Sequence, residues 1–210
     1  FEVVVESGAG LASSHDDQAY IDAGASIGSR DEVLACPHVL GVGFPGIDGL
    51  AAGTNVVCVA DPFRHPDRVK ACMDAGVTLM SMDMIPRRLS RAQSMDVNSS
   101  QDTLAGYKAV IDAAAIAQIA MPMMMTAAGT VAPAKVLVMG AGVAGLQAIA
   151  TARRLGAIVN ATDVRPAAKE QVESLGATFL TVDSDEGESA ETAGGYAREM
   201  SEDYRARQAE

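Results

Sequence analysis

The 210-residue chain, 49% hydrophobic, holds enough apolar material for one large or two small domains and is no disulfide-stapled mini-protein. Its 16 basic against 27 acidic side chains leave a formal net charge of −11, which excludes a global basic footprint for nucleic-acid phosphates. Cys36, Cys58 and Cys72 form an odd set without metal-type pairing, read as reduced thiols, and the most apolar stretch, 109–140, is interrupted by Asp112, Gln118, Pro122, Pro133 and Lys135.

In chain order, strands are predicted at Glu2–Val5, Ala25–Gly28, Val39–Val42, Asn55–Ala60, Val77–Met80, Lys135–Met139, Ala157–Ala161 and Ala177–Val182. Helices are predicted at Asp17–Ala23, Pro66–Ala75, Ser99–Ala120, Gly145–Leu155 and Ala167–Leu175. A Gly followed seven residues later by an Asp recurs at Gly24/Asp31, Gly76/Asp83, Gly156/Asp163 and Gly176/Asp183, each Gly closing a helix. A glycine just past a helix reaches the left-handed conformation that ends it, and the residues up to the Asp form a strand expected to be covered on both faces.

This alternation predicts an α/β fold: two Rossmann-like parallel-sheet domains joined by a long helix, both incomplete. The domains are placed at 1–126 and 127–210, with a hinge over Met121–Pro133 whose methionines are expected as flexible core filler. The chain begins on Phe1 and stops inside a charged helical segment, so both ends read as cut. His15 and His38 are expected in loops, and His65 in the cap before Pro66. The acidic run Asp183, Asp185, Glu186, Glu188 and Glu191 is expected as a solvated loop, and no metal site is predicted.

The chemistry concentrates in Gly140-Ala141-Gly142-Val143-Ala144-Gly145, where a predicted strand runs into a predicted helix. In such a turn Gly140 permits the tight bend, Gly142 lets backbone approach a pyrophosphate, and Gly145 lets helix and strand pack closely. The N–H groups of Val143, Ala144 and Gly145 then open a helix toward the phosphates. Eighteen residues after Gly145 stands Asp163, an acid suited to accept hydrogen bonds from the adenosine ribose. The alternative is that Asp163 is only the repeat's strand-terminal Asp. Its carboxylate would repel a 2′-phosphate, which favours NAD(H); Arg165, beyond Val164, is placed to receive that phosphate and keeps NADP open.

Several segments resemble the NAD(H)-binding component of proton-translocating nicotinamide nucleotide transhydrogenase. They are Pro86-Arg87-Arg88-Leu89-Ser90-Arg91-Ala92-Gln93-Ser94-Met95-Asp96 with Ser99-Ser100, Leu104–Val110, Pro122–Thr130, the 135–145 turn, Ala161–Ala168 and Thr192–Met200. The resemblance covers most of the chain from Met82 onward and is poor between Asp31 and Pro66. It implies NAD(H) bound here, with Val164 and Arg165 beside Asp163, and NADP(H) bound on a partner domain, with direct hydride transfer between the nicotinamides. Such a transfer needs ring contact at about 3–3.5 Å and no general base. The nicotinamide-side residues carry over onto Arg88, Gln93, Asp96 and Ser99. Their own chemistry also suits a plain ion pair between Arg88 and Asp96, and a helix cap at Ser99.

The resemblance further implies a transmembrane proton-channel domain as partner, a homodimer, and a place on the cytoplasmic face of the bacterial inner membrane, or on the matrix side in a mitochondrion. Alanine dehydrogenase is the nearest enzyme alternative, needing a Lys and a His that no position of this chain matches. A non-enzymatic NAD-binding regulatory module is the third reading.

Overall fold

The computed structural model describes residues 1–86, 89–181 and 198–209. The chain divides into two compact units, Phe1–Asp96 and Val97–Glu210. Among the described residues no helix is long and apolar enough to cross a membrane.

In the first unit β1 (Val4–Glu6) pairs in parallel with β2 (Ser26–Gly28), joined through α1 (Asp17–Asp22). Asp16 caps α1, its carboxylate accepting the Ala19 N–H at 3.0 Å. A short helix that periodicity did not reveal, α2 (Arg30–Leu34), is held by a capping box in which Ser29 and Glu32 bond each other's backbone. Asp31 of the repeat therefore lies in a helix, not at a strand end. Then β3 (His38–Gly43), β4 (Asn55–Val59) and β5 (Thr78–Ser81) form a parallel sheet in that order, with α3 (Pro66–Asp74) as the crossover between β4 and β5. His38 opens β3 opposite Asn55, where a loop was expected, and its Nδ1 lies 3.2 Å from the Asn55 amide nitrogen. His65 occupies the cap position of α3 without a side-chain bond.

The second unit opens with α4 (Val97–Ile116). An antiparallel hairpin follows, β6 (Met124–Thr126) and β7 (Gly129–Val131), inside the stretch expected as a hinge. Its Met123, Met124 and Met125 are exposed, not core filler, because among the described residues no second layer covers the two-stranded ribbon. Then come β8 (Lys135–Met139), α5 (Val143–Arg154), β9 (Ile158–Thr162), α6 (Ala168–Ser174) and β10 (Thr178–Phe179), with α7 (Glu202–Ala209) last. The strands pair in parallel in the order β10-β9-β8, so consecutive strands sit side by side through helical crossovers.

Gly24, Gly76, Gly156 and Gly176 all have positive φ, between 67° and 93°, so each repeat's helix ends through the glycine that the spacing predicts. The strands are covered less evenly than expected. In β4, Val56 and Cys58 are fully buried while their neighbours are half-exposed; in β8, Val136 and Val138 face the core while Leu137 and Met139 face outward. Cys72 of α3 packs with Cys58 in the first unit's core, and burial pushes both thiols up.

Helix α4 packs along α5, which groups it with the second unit. Its buried positions are Gly106 and Val110, one turn apart, while the larger Leu104 and Tyr107 are exposed. Apolar and polar residues are interspersed around the girth of this helix, so periodicity alone cannot choose the face. Backbone clearance chooses it: a Cβ on Gly106 would sit 2.1 Å from the Ala144 carbonyl oxygen. Gly106→Ala is expected to cost about 1–3 kcal/mol in urea unfolding despite alanine's better helix propensity, since only backbone movement makes room.

Candidate functional site

The site is built at the carboxyl ends of β8 and β9. The chain leaves β8 through Gly140, whose φ of +98° is a left-handed conformation that a side chain would strain, and Gly140 donates its N–H to the Thr162 carbonyl at 2.8 Å. That bond continues the β8–β9 ladder for one residue and fixes where the turn begins. Gly145, in the first turn of α5, has no room for a side chain: a Cβ there would stand 1.8 Å from the Gly140 oxygen. Gly142 is the opposite case. It caps α5 with φ −77°, and nothing lies within 4 Å of where its Cβ would be.

The opening of α5 suits an anion. No side chain caps this helix and no acidic residue occupies its first turn, where Val143, Ala144 and Gly145 stand. The first N–H groups of a helix lack intrahelical partners and carry a partial positive charge. Open space above Gly142 leaves that end approachable, so the residues present fit a dinucleotide's phosphates.

Asp163 follows β9 directly and closes the turn from the other side. Its Oδ2 accepts the Ala141 N–H at 2.7 Å and an Nη2–H of Arg165 at 3.0 Å; its Oδ1 accepts the Arg165 backbone N–H at 2.8 Å and the Nε–H at 2.9 Å. The Asp163 side chain is only 4% exposed, and Ala141 is fully buried. Among the described residues this carboxylate is the acceptor of the buried Ala141 N–H, which would otherwise be left unpaired there. Burial works to raise the Asp163 pKa, but the bonds from the Arg165 side chain and from the Ala141 and Arg165 amides outweigh it, leaving the carboxyl below its ordinary value. Val164 between them is half-buried.

The first unit repeats half of this device. Asp83, in the turn after β5, accepts the N–H of Ala60, the residue following β4, at 3.2 Å and the Ser81 hydroxyl at 2.5 Å. Burial opposes its ionisation too, yet the Ser81 and backbone bonds leave its carboxyl lowered. An Asp beyond one strand thus ties down the backbone leaving the neighbouring strand in both units. Asp163 therefore performs the structural task that its repeat position implies; the glycine turn and the Arg165 fork are what set it apart. Sequence reasoning missed the Ala141 bond, since nothing local joins residues 22 apart.

The residues assigned to the nicotinamide side are distributed as follows. Arg88 lies outside the described residues, as do Thr192–Ala197 and the acidic run from Asp183. Gln93 opens a 3-10 turn, Gln93–Met95, and is exposed; Asp96 follows it, half-buried, donating its N–H to the Gln93 carbonyl at 3.3 Å. Ser99 lies within α4, not at its cap, and its carbonyl accepts the Thr103 hydroxyl at 2.9 Å. Among the described residues there is no group of three or more side chains arranged to hold a metal ion.

Comparison with known proteins identifies the family. The N-terminal domain model of the alanine dehydrogenase/PNT family matches residues 1–105, and its C-terminal domain model matches residues 109–206. The chain belongs to this family. It is 51% identical to an NAD(P) transhydrogenase alpha subunit of Rhodospirillum rubrum, over all of this chain and 57% of that protein. It is 43% identical to the NAD(P) transhydrogenase alpha subunit of Haemophilus influenzae, over 99% of this chain and 40% of that one. The chain thus spans about half the length of these curated relatives. Among solved structures, a transhydrogenase from Sinorhizobium meliloti matches with a TM-score of 0.83 and 56% identity, over 87% of this chain and 55% of that chain. An L-alanine dehydrogenase matches in fold, with a TM-score of 0.71 at 21% identity, over 85% and 52% of the two chains.

Because the Asp163 pKa is lower in the folded protein than in the unfolded chain, its contribution to stability is present above the unfolded value of about 3.9 and is lost as the pH falls through the native value. Asp163→Asn is expected to cost about 1–3 kcal/mol in urea unfolding at pH 7, a difference that shrinks toward acid pH. A cost independent of pH would contradict the ionised, bonded carboxylate.

Proposed function

We propose that this chain is the NAD(H)-binding part of a proton-translocating transhydrogenase. The observation that carries the proposal is the uncapped start of α5 behind an open Gly142, closed from beside by the buried Asp163. The family membership and the 51% identity to a transhydrogenase alpha subunit support it.

In this reading the first turn of α5 and the amides of Val143, Ala144 and Gly145 hold the diphosphate. Gly140 and Gly145 keep the turn in shape, and Gly142 leaves the diphosphate room to approach the backbone. Asp163 receives the adenosine ribose, flanked by Val164 and Arg165, and its negative charge disfavours a 2′-phosphate, so NAD(H) is taken in preference to NADP(H). Arg88, Gln93, Asp96 and Ser99 orient the nicotinamide, its carboxamide and the adjoining groups: Arg offers a planar fork of donors, Gln both donor and acceptor, Asp and Ser acceptors for an amide. Bound NADH supplies a hydride, which is delivered to NADP⁺ held on a partner domain. The chain's own task is to bind and orient, because that transfer calls for no proton at the reacting carbons.

The partners are the NADP(H)-binding domain and a transmembrane proton-channel domain, with the chain as a peripheral part of a homodimeric complex on the cytoplasmic face of the bacterial membrane, or on the matrix side in a mitochondrion. The test is an assay of the complete subunit with its NADP(H)-binding partner, following NADH-dependent reduction of an NADP⁺ analogue beside an alanine plus NAD⁺ control. Activity with the analogue is expected; activity only in the control would assign the chain to alanine dehydrogenase. Nucleotide binding without turnover in either would favour a regulatory module. Gly142→Ala in the same subunit is expected to weaken NADH binding about tenfold or more while costing less than about 1 kcal/mol of stability, since its Cβ meets only open space.

A further inference from the structure

An ionised carboxylate offers about four acceptor positions, two on each oxygen. In this structure four N–H donors already point at Asp163: two backbone amides, Ala141 and Arg165, and two from the Arg165 side chain, one on each oxygen. The side chain is almost wholly withdrawn from solvent. A ribose with free 2′ and 3′ hydroxyls also brings two donors, and a full carboxylate has no place for them. The two backbone donors are fixed by the turn and by the chain's direction after β9. The guanidinium can leave: Arg165 is 21% exposed and stands on a rotatable stem.

We propose that the Arg165 guanidinium is a built-in stand-in for the ribose diol, holding both oxygens of Asp163 until the two hydroxyls of a dinucleotide replace it one for one, while the Ala141 and Arg165 amides stay in place. The proposal rests on the dinucleotide reading of the site above. It makes Arg165 a positioning residue that sets the affinity of the site through competition for Asp163. A nucleotide with both hydroxyls matches the two donors it displaces; one carrying a 2′-phosphate brings a single hydroxyl and leaves one of the carboxylate's displaced bonds unmatched. The stand-in also keeps the Asp163 charge paired while no nucleotide is bound, so the Ala141 turn is already set when the ligand arrives.

The test is made on the complete subunit labelled with 15N-arginine and 15N-alanine, titrated with NADH and followed by NMR. The Arg165 Nε–H is assigned by its loss in Arg165→Lys, and the Ala141 amide by its loss in Ala141→Gly. In the free protein the Nε–H is expected to exchange slowly. On saturation with NADH it should move to the position and fast exchange of a solvated arginine, while the Ala141 amide shifts but stays protected. A second measurement compares dissociation constants: Arg165→Met is expected to bind NADH about fivefold more tightly than the parent, because no fork has to be displaced. A merely structural Arg165 would give the opposite, weaker binding in the variant and an unmoved Nε–H in the parent. If NADH shifts the Ala141 amide but the Nε–H stays protected, the stand-in is overturned and the binding site survives; if NADH moves neither signal, both fall.

Discussion

A single carboxylate sets the geometry on which the second unit's site depends. The amide of Ala141 is buried between two glycines at the point where the chain turns from β8 into α5, and a buried amide without an acceptor is costly enough to open a turn. Asp163 supplies that acceptor at 2.7 Å from the end of the neighbouring strand. The arrangement couples three things that would otherwise vary separately: how the turn exits β8, where α5 begins, and where an acid stands relative to both. The glycines are then necessary consequences. Gly140 must take a left-handed φ, and Gly145 must stay bare because the returning helix passes against the Gly140 carbonyl.

The first unit shows what such a carboxylate does without the rest. Asp83 ties the Ala60 amide to the end of β5, yet β4 leads into no glycine turn and α3 begins with Pro66 behind His65. Strand-end carboxylates are thus a simple way to pin a parallel sheet's carboxyl edge, where connecting loops leave backbone donors unpaired. In the second unit the same pin stands beside an uncapped helix and the Arg165 guanidinium, the features on which the proposed nucleotide site rests. On the proposed function a stabilising device and a recognition device share one side chain, so an effect of Asp163 on binding is informative only beside its effect on stability.

Much of this architecture was legible in the sequence because its signals are local. The repeating Gly-to-Asp interval fixed helix ends that the structure finds in the left-handed conformation at Gly24, Gly76, Gly156 and Gly176, and Lys135–Met139 has the bounds the apolar run implied. The α2 helix escaped periodicity because it is five residues long, although Ser29 with Glu32 three positions later is a readable capping box. The 124–131 hairpin was obscured by Pro122 and Pro133, which drew attention to the breaks on either side rather than to the segment between them. On α4 the exposed Leu104 and Tyr107 outweighed Gly106 in any hydrophobic count, whereas packing was decided by the absence of a side chain. The bond of Asp163 to Ala141 could not be read at all, since it exists only once β8 and β9 pair.

Together these features describe a turn set by backbone bonds and one carboxylate, on which the proposed binding role depends. A crystal structure of the complete subunit grown with NADH tests that account most directly. It is expected to show the diphosphate against the amides that open α5 and the adenosine ribose at Asp163, with the Ala141 bond intact. An adenosine half bound away from the 140–145 turn, or a turn that refolds with Ala141 released from Asp163, would contradict it.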